Sequence, residues 1–207
     1  MEILILIIIA YLLGSIPTSV WIGKYFYGID IREHGSGNAG ATNTFRVLGK
    51  KPGIIVLIID ILKGSAAVSL AYWFEDVLPA NEFIDIEIGL AIACVFGHIF
   101  PVFAGFRGGK GVATLLGATI IITPISCALA LVVFLIVLFS TRYVSLSSMS
   151  AGVSYPFILH FILHNQHPSL TIYSILIALL LIITHRKNIR RLLTHTESKI
   201  VLAKSKA

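Results

Sequence analysis

Residues 112–142 read VATLLGATIIITPISCALALVVFLIVLFSTR, and the reading of Thr123-Pro124 at their middle decides how the chain is threaded. A helix rising about 1.5 Å per residue needs roughly 20 apolar residues to cross the hydrocarbon core. One tilted helix kinked at Pro124 would fit the hydropathy of this stretch, and so would two shorter helices that turn there. Working outward, apolar runs and breakers predict further helices over residues 3–26, 53–74, 86–103, 150–163 and 170–185, with the central stretch divided as 112–123 and 125–140. Charge decides the threading. The connection at 75–87 holds Glu75, Asp76, Glu82, Asp85 and Glu87 with no Lys or Arg, whereas the tail holds Arg186, Lys187, Arg190, Arg191, Lys199, Lys204 and Lys206. The excess of Lys and Arg puts the tail in the cytoplasm. Arg32, Arg46, Lys50 and Lys51 after the first helix, Arg107 and Lys110 after the third and Arg142 after the fifth then fall on the same side only if the chain turns at Thr123-Pro124. The expectation is an all-α, polytopic membrane protein with seven transmembrane helices, the N-terminus outside and the C-terminus cytoplasmic, forming one domain over 1–207.

Composition agrees with lipid as the main solvent. Of 207 residues, 57% are hydrophobic and 13% charged, and the mean hydropathy of +0.92 argues against a soluble domain. The formal net charge of +6 comes from residues flanking apolar runs, not from basic residues among exposed aromatics, so anionic headgroups and phosphorylated small molecules suit it better than nucleic acid. Cys94 and Cys127 lie inside apolar runs, form no metal-binding pattern and read as buried hydrophobes. The run at 3–13 lacks a basic start and reads as a retained helix.

Two glycine-rich segments carry the chemistry. In residues 28–46, Gly35, Gly37 and Gly40 let the backbone turn so that N–H groups converge, and Ser36, Asn38, Thr42 and Asn43 add polar groups. A flexible polar connector has the same composition; Arg32 and Arg46 favour an anion-binding nest, because a guanidinium offers a phosphate paired donors. In GFRGGKGVAT, residues 105–114, Gly108, Gly109 and Gly111 surround Lys110 and the next helix opens at once. This is not a Walker A loop, since Ala104 and Gly111 stand where that motif needs Gly and Ser or Thr. Exposed N–H groups, a helix N-terminus and a full positive charge nonetheless suit a second phosphate. The alternative is that Arg107 and Lys110 only mark the membrane boundary.

Asp60 and Lys63 stand one turn apart in an apolar span, so they are expected to pair inside the bundle, as a structural ion pair or as support for a site. His185 and Asn188, three apart, can share a helix face and a ligand, although an interfacial role also fits. Residues 186–193 suggest a short helix in the headgroup region. His98 suits packing at least as well as substrate contact, and His160, His164 and His167 suit an interfacial cap or loop near the outer face.

Together these segments resemble the PlsY family of bacterial acyl-phosphate:glycerol-3-phosphate acyltransferases over nearly the whole chain. The resemblance rests on GSIP at 14–17 with Lys24, GSGNAGATN at 35–43 with Arg46, Asp60 and Lys63 with Gly64, and GHIFPVFAGFRGGKGVAT at 97–114. It continues with Ser145 in YVSLSS at 143–148 and with His185, Asn188, Arg191 and Glu197. Before Glu197 stand His195-Thr196, where the family usually has a Gly-Thr pair. The resemblance implies a fatty acyl phosphate donor, a glycerol 3-phosphate acceptor and lysophosphatidic acid as product, at the cytoplasmic face of the bacterial inner membrane, with no metal, cofactor or obligate protein partner. It also implies that Ser36, Arg46, Lys110, His185 and Asn188 line the site, with Ser145 or Ser148 nearby and Lys24, Asp60, Lys63 and Glu197 in support. An acyl phosphate is already activated, so holding two phosphorylated reactants together and stabilising charge would suffice. The leaving phosphate or His185 would take the proton. A phosphate transporter would also use basic glycine-rich loops, but neither loop recurs as an inverted repeat would require. The His-x-x-x-x-Asp pattern of other glycerol-phosphate acyltransferases is absent.

Overall fold

The computed structural model describes residues 1–200 and contains helices and turns, with no strand among the described residues. It forms two compact units, Met1–Pro124 and a second beginning at Ile125.

In the first unit the run expected as one helix over 3–26 is two, α1 (Glu2–Gly14) and α2 (Thr18–Tyr27), bent by 40°. Pro17 is the cause, since it has no N–H and restricts Ile16 before it. After a 3₁₀ turn at Ile31–Glu33 come α3 (Ala41–Val47) and α4 (Lys50–Ser69), which continues as 3₁₀ through Leu70–Phe74. The next helix, α5 (Ala80–Ile99), starts before residue 86, where the sequence suggested. Its acidic first turn looks like a loop by hydropathy, but Glu82 there faces the positive end of the helix dipole. A 3₁₀ turn at Val102–Ala104 leads to α6 (Val112–Ile122).

Glycines let these helices approach to backbone contact. A Cβ on Gly64 of α4 would strike the Thr114 carbonyl of α6, and one on Gly117 of α6 would strike the Ile61 carbonyl of α4. Ser65 Oγ donates to the Gly117 carbonyl at 2.8 Å across the same seam. The α1–α5 contact repeats the device, with Gly14 against Cys94 and Gly97 against Tyr11. In lipid, where burying apolar surface between helices gives no hydrophobic gain, close van der Waals contact and such hydrogen bonds hold helices together. Around them Ala10, Ala67, Ala71, Leu90 and Cys94 form a fully buried core.

The second unit holds α7 from Ile125 on (Pro124–Thr141), α8 (Val144–Phe157), α9 (Pro168–Thr184) and α10 (Arg186–Leu193). Helix α8 starts at Val144, where residues up to 149 had been expected outside a helix. Ser147 and Ser148 turn their hydroxyls back onto the carbonyls of Tyr143 and Val144 at 2.8 and 2.9 Å, which satisfies them within their own helix. The helix passes Pro156 and ends in a π turn at Ile158–Ile162. The pair α9 and α10 bends by 59° at His185. Three helical stretches, Lys50–Phe74, Ala80–Ala104 and Pro124–Thr141, are each long and apolar enough to cross a membrane, and five if the two bent pairs each count as one. Val112–Ile122 is shorter. Cys94 and Cys127 are both buried and unbridged.

Replacing Gly117 with Leu should overpack the α4–α6 seam and cost about 1–3 kcal/mol. Thermal unfolding in detergent checks this: the melting temperature should fall clearly, and an unchanged value would mean that the two helices do not meet at Gly117.

Candidate active site

The first glycine-rich segment is held in shape by its own side chains. Asp30 accepts from the Arg32 N–H at 3.0 Å, which starts the 3₁₀ turn, and takes both arms of the Arg32 guanidinium at 2.9 and 2.7 Å. Lys24 adds a more exposed charge 3.4 Å from the same carboxylate. The hydrogen-bonded Arg32 guanidinium holds the Asp30 carboxyl well below the usual carboxylate range. Arg32 also donates to the Ala104 carbonyl at 2.8 Å. It therefore ties the first glycine-rich segment to the second, instead of offering a fork to a phosphate as its place in the sequence suggested.

Asn43, read from the sequence as one of the phosphate donors, organises the turn instead. It is fully buried, donates to the carbonyls of Ile31 and His34 at 3.0 Å each, and accepts from the N–H and hydroxyl of Ser36 at 2.8 and 3.1 Å. Gly35, at φ +62°, packs against that carboxamide where a Cβ would clash, and Gly37 is also left-handed at φ +72°. Asn38 is half-buried beside Gly40, the residue that opens α3. Thr42 and Arg46, four apart on α3, share a face and are exposed, so they remain available to a ligand.

The second segment folds back on the end of α5. The N–H groups of Gly108 and Gly109, expected to face an anion, donate to the carbonyls of Ile99 and His98 at 3.1 Å each. Lys110 follows them, half-buried, and Gly111, at φ +80°, opens α6. Thr114, also expected among the phosphate ligands, is fully buried with its hydroxyl 3.1 Å from His98 Nδ1. Beneath lies the buried pair that the i,i+3 spacing foretold, with Lys63 Nζ 2.8 Å from Asp60 Oδ1. Thr18 donates to Asp60 at 3.2 Å, Lys63 donates to the Ile16 carbonyl at 3.0 Å, and His98 Nδ1 stands 3.8 Å from Asp60. Asp30 and Thr18 were missed from the sequence, and His98 was left between packing and substrate contact. The signal for Asp30 was its place two residues before Arg32, where an Asp can cap a turn.

In the second unit His185, 2% exposed, ends α9 and opens α10, with Nδ1 2.7 Å from the Leu181 carbonyl. A carbonyl can only accept, so Nδ1 carries a proton on the Leu181 side of the ring. Glu197 draws three groups together: Ser145 Oγ donates to Oε1 at 2.7 Å, Asn188 Nδ2 to Oε1 at 2.6 Å and Arg191 Nε to Oε2 at 2.6 Å. The segment after α10 thus lies along the start of α8, an arrangement extended by Ile200 N–H on the Arg142 carbonyl at 2.9 Å and by Lys199 over the Tyr143 ring. Ser148 bonds within its own helix.

Fold and segments together define an all-α integral membrane protein whose polar chemistry is gathered in glycine-rich, cation-bearing turns and in a histidine-bearing helix junction. The chain belongs to the glycerol-3-phosphate acyltransferase family, whose model matches residues 4–195. A glycerol-3-phosphate acyltransferase from Streptococcus thermophilus is 44% identical, over 97% of this chain and 94% of its own length. One from Chlorobium limicola is 40% identical over 99% of both. Among solved structures, PlsY, an integral membrane glycerol 3-phosphate acyltransferase, in its glycerol 3-phosphate form superposes with a TM-score of 0.86 at 39% identity, covering 97% of this chain and 96% of that one. Its lysophosphatidic acid form gives 0.82.

Glu197 provides a pH signature. Burial alone would raise its pKa, but the hydrogen bonds from Arg191, Ser145 and Asn188 outweigh this and lower it. A carboxylate whose folded pKa lies below its unfolded value stabilises the fold above the unfolded value, and that contribution disappears as pH falls through the folded one. Glu197→Gln should therefore cost about 1.5–3 kcal/mol near neutral pH. The gap in melting temperature between wild type and variant should close in acid, below the ordinary Glu range; a gap independent of pH would contradict the clamp.

Proposed function

We propose that this chain transfers a fatty acyl group from an acyl phosphate to the 1-hydroxyl of glycerol 3-phosphate, giving lysophosphatidic acid for phospholipid synthesis. The observation that carries this reading is the junction of the two glycine-rich segments in the first unit. Arg32 bridges Asp30 and the Ala104 carbonyl, and a Cβ on Gly109 would stand 3.0 Å from the Ala39 carbonyl. A reaction between two phosphorylated substrates needs two sets of anion donors close together, and this junction supports that need. Lys110, at the N-terminus of α6, adds a full charge to the helix dipole; Arg46 and Thr42 on α3 supply further donors. In the second unit the family resemblance suggests His185 as a general base, with Asn188, Ser145 and Ser148 beside it.

The chemistry is direct transfer. The glycerol hydroxyl attacks the acyl carbonyl, charge grows on the carbonyl oxygen, and phosphate leaves while the hydroxyl proton passes to His185 or to that phosphate. Ser36 is a poor nucleophile for a two-step route, because its hydroxyl donates to a carboxamide and not to a base. Cys94 and Cys127 are buried in helix interiors.

The same proposal takes 1–207 as one functional domain crossing the bacterial cytoplasmic membrane seven times, with α6 and α8 completing the five longer or bent spans. The acidic connection at 75–87 would lie outside and the basic tail inside, with the glycine-rich segments facing the cytoplasm. Single cysteines introduced at 77 and 187 into a variant lacking Cys94 and Cys127 test this with a membrane-impermeant thiol reagent. They should label from opposite sides, and labelling from one side would refute the threading.

Purified protein supplied with acyl phosphate and labelled glycerol 3-phosphate should form labelled lysophosphatidic acid. Lys110→Met should lower kcat/KM at least about 100-fold, the scale of losing one preorganised charge-stabilising donor. Unchanged kcat and KM would reduce Lys110 to a boundary marker.

A further inference from the structure

The segment bearing Lys110 is glycine-rich and has little conformational preference of its own, so its path has to be imposed by neighbours. His98, 6% exposed, imposes it at several points. Its carbonyl accepts the Gly109 N–H at 3.1 Å, while that of the adjacent Ile99 accepts Gly108 at 3.1 Å. Its ring lies so close to Gly109 that a Cβ there would collide with Nε2. Its Nδ1 stands 3.1 Å from the hydroxyl of Thr114, in the first turn of α6. Gly109 and Thr114 flank Lys110 in the chain, so one residue meets it on both sides of the charge, with its carbonyl and ring at Gly109 and its Nδ1 at the Thr114 hydroxyl.

The ring is itself held. Nδ1 is 3.8 Å from Asp60 Oδ1, which is paired with Lys63 and receives the Thr18 hydroxyl. Lys63 reaches on to the Ile16 carbonyl, in the break between α1 and α2. A cavity of about 10 Å³, room for a single water, opens between this cluster and both glycine-rich segments, bounded by Asp60, Lys63, His98, Ala39 and Gly108. Lone buried charges are costly in a membrane bundle. Here the pair is coupled through one imidazole to the turn that carries the phosphate-facing charge.

We propose that His98 is a positioning residue for the acyl transfer: it places Lys110 by bracketing it between Gly109 and Thr114, and the Asp60–Lys63 pair orients its ring. The inference rests on reading Lys110 as a phosphate-binding residue. Its test is Thr114→Val, which keeps the shape and removes the hydroxyl, beside His98→Asn, which retains a polar atom near the Nδ1 position, and His98→Leu, which does not. Loop placement is read by deuterium uptake of 105–111, and rates by acyl phosphate with labelled glycerol 3-phosphate. Thr114→Val should raise uptake in 105–111 while leaving 53–69 as in wild type, and should lower kcat/KM at least about tenfold, a loss typical of a small misplacement. His98→Asn should stay within about threefold of wild type while His98→Leu falls with Thr114→Val. Wild-type rates and uptake in both Thr114→Val and His98→Leu would overturn the proposal. So would a rise in uptake spread evenly over the first unit with His98→Asn no better than His98→Leu, the mark of a merely structural residue. A wild-type protein inactive on both substrates would count against the proposed reaction, and the uptake comparison would still decide whether His98 brackets the loop.

Discussion

The buried pair of Asp60 and Lys63 is the constraint on which the first unit turns. Two ionised groups in a lipid-embedded bundle persist only when each is paired and its remaining hydrogen-bonding capacity is met. The helices around them are arranged accordingly. Pro17 breaks the first span and turns the Ile16 carbonyl out of the regular ladder, so that it accepts from both the Thr18 N–H and Lys63; Thr18 turns its hydroxyl to Asp60 from the start of α2. The end of α5 brings His98, and His98 brings Thr114 of α6. Removing the Asp60 charge would leave Lys63 uncompensated, a loss of about 3–5 kcal/mol, and would release Lys63, Thr18 and His98 at once.

Both units solve the same problem, that of keeping polar turns in one conformation, with an acidic acceptor at the centre. In the first, Asp30 fixes Arg32, which reaches across to Ala104. In the second, Glu197 gathers Ser145, Asn188 and Arg191 and draws the segment after α10 onto the start of α8. Glycine is needed where backbone and side chain nearly touch, as at Gly109 beside the His98 ring and Gly35 beside the Asn43 carboxamide. Such contacts make a turn rich in glycine a rigid element, and preorganisation of this kind spares a reaction the cost of reorganising donors at the transition state.

Much of this was legible in the sequence. Hydropathy marks the long spans because lipid requires each of them to satisfy its own backbone. The i,i+3 spacing of Asp60 and Lys63 announces their contact. Hydropathy does not register the break at Pro17, since apolar residues continue on both sides, nor the early start of α5, since the acidic residues of its first turn count as loop. The partners of the glycine-rich turns were hidden for another reason. Composition lists donors but not where they point, so Asn43, Thr114 and the N–H groups of Gly108 and Gly109 read as ligands for an anion although they bind other parts of the chain. Arg32 misled in the same way, its carboxylate lying only two residues away. The place of Glu197 was suggested by family resemblance alone, because nothing in its local sequence names Ser145 as a partner.

Ser36, whose hydroxyl donates to the Asn43 carboxamide, and the buried Cys94 and Cys127 are poorly placed to form an acyl intermediate. The central claim is thus that both substrates occupy the protein together and the acyl group moves directly between them. Initial rates measured with acyl phosphate and glycerol 3-phosphate varied independently test it most directly. Direct transfer predicts double-reciprocal lines that intersect; parallel lines, the pattern of an acyl-enzyme formed and discharged in turn, would contradict it.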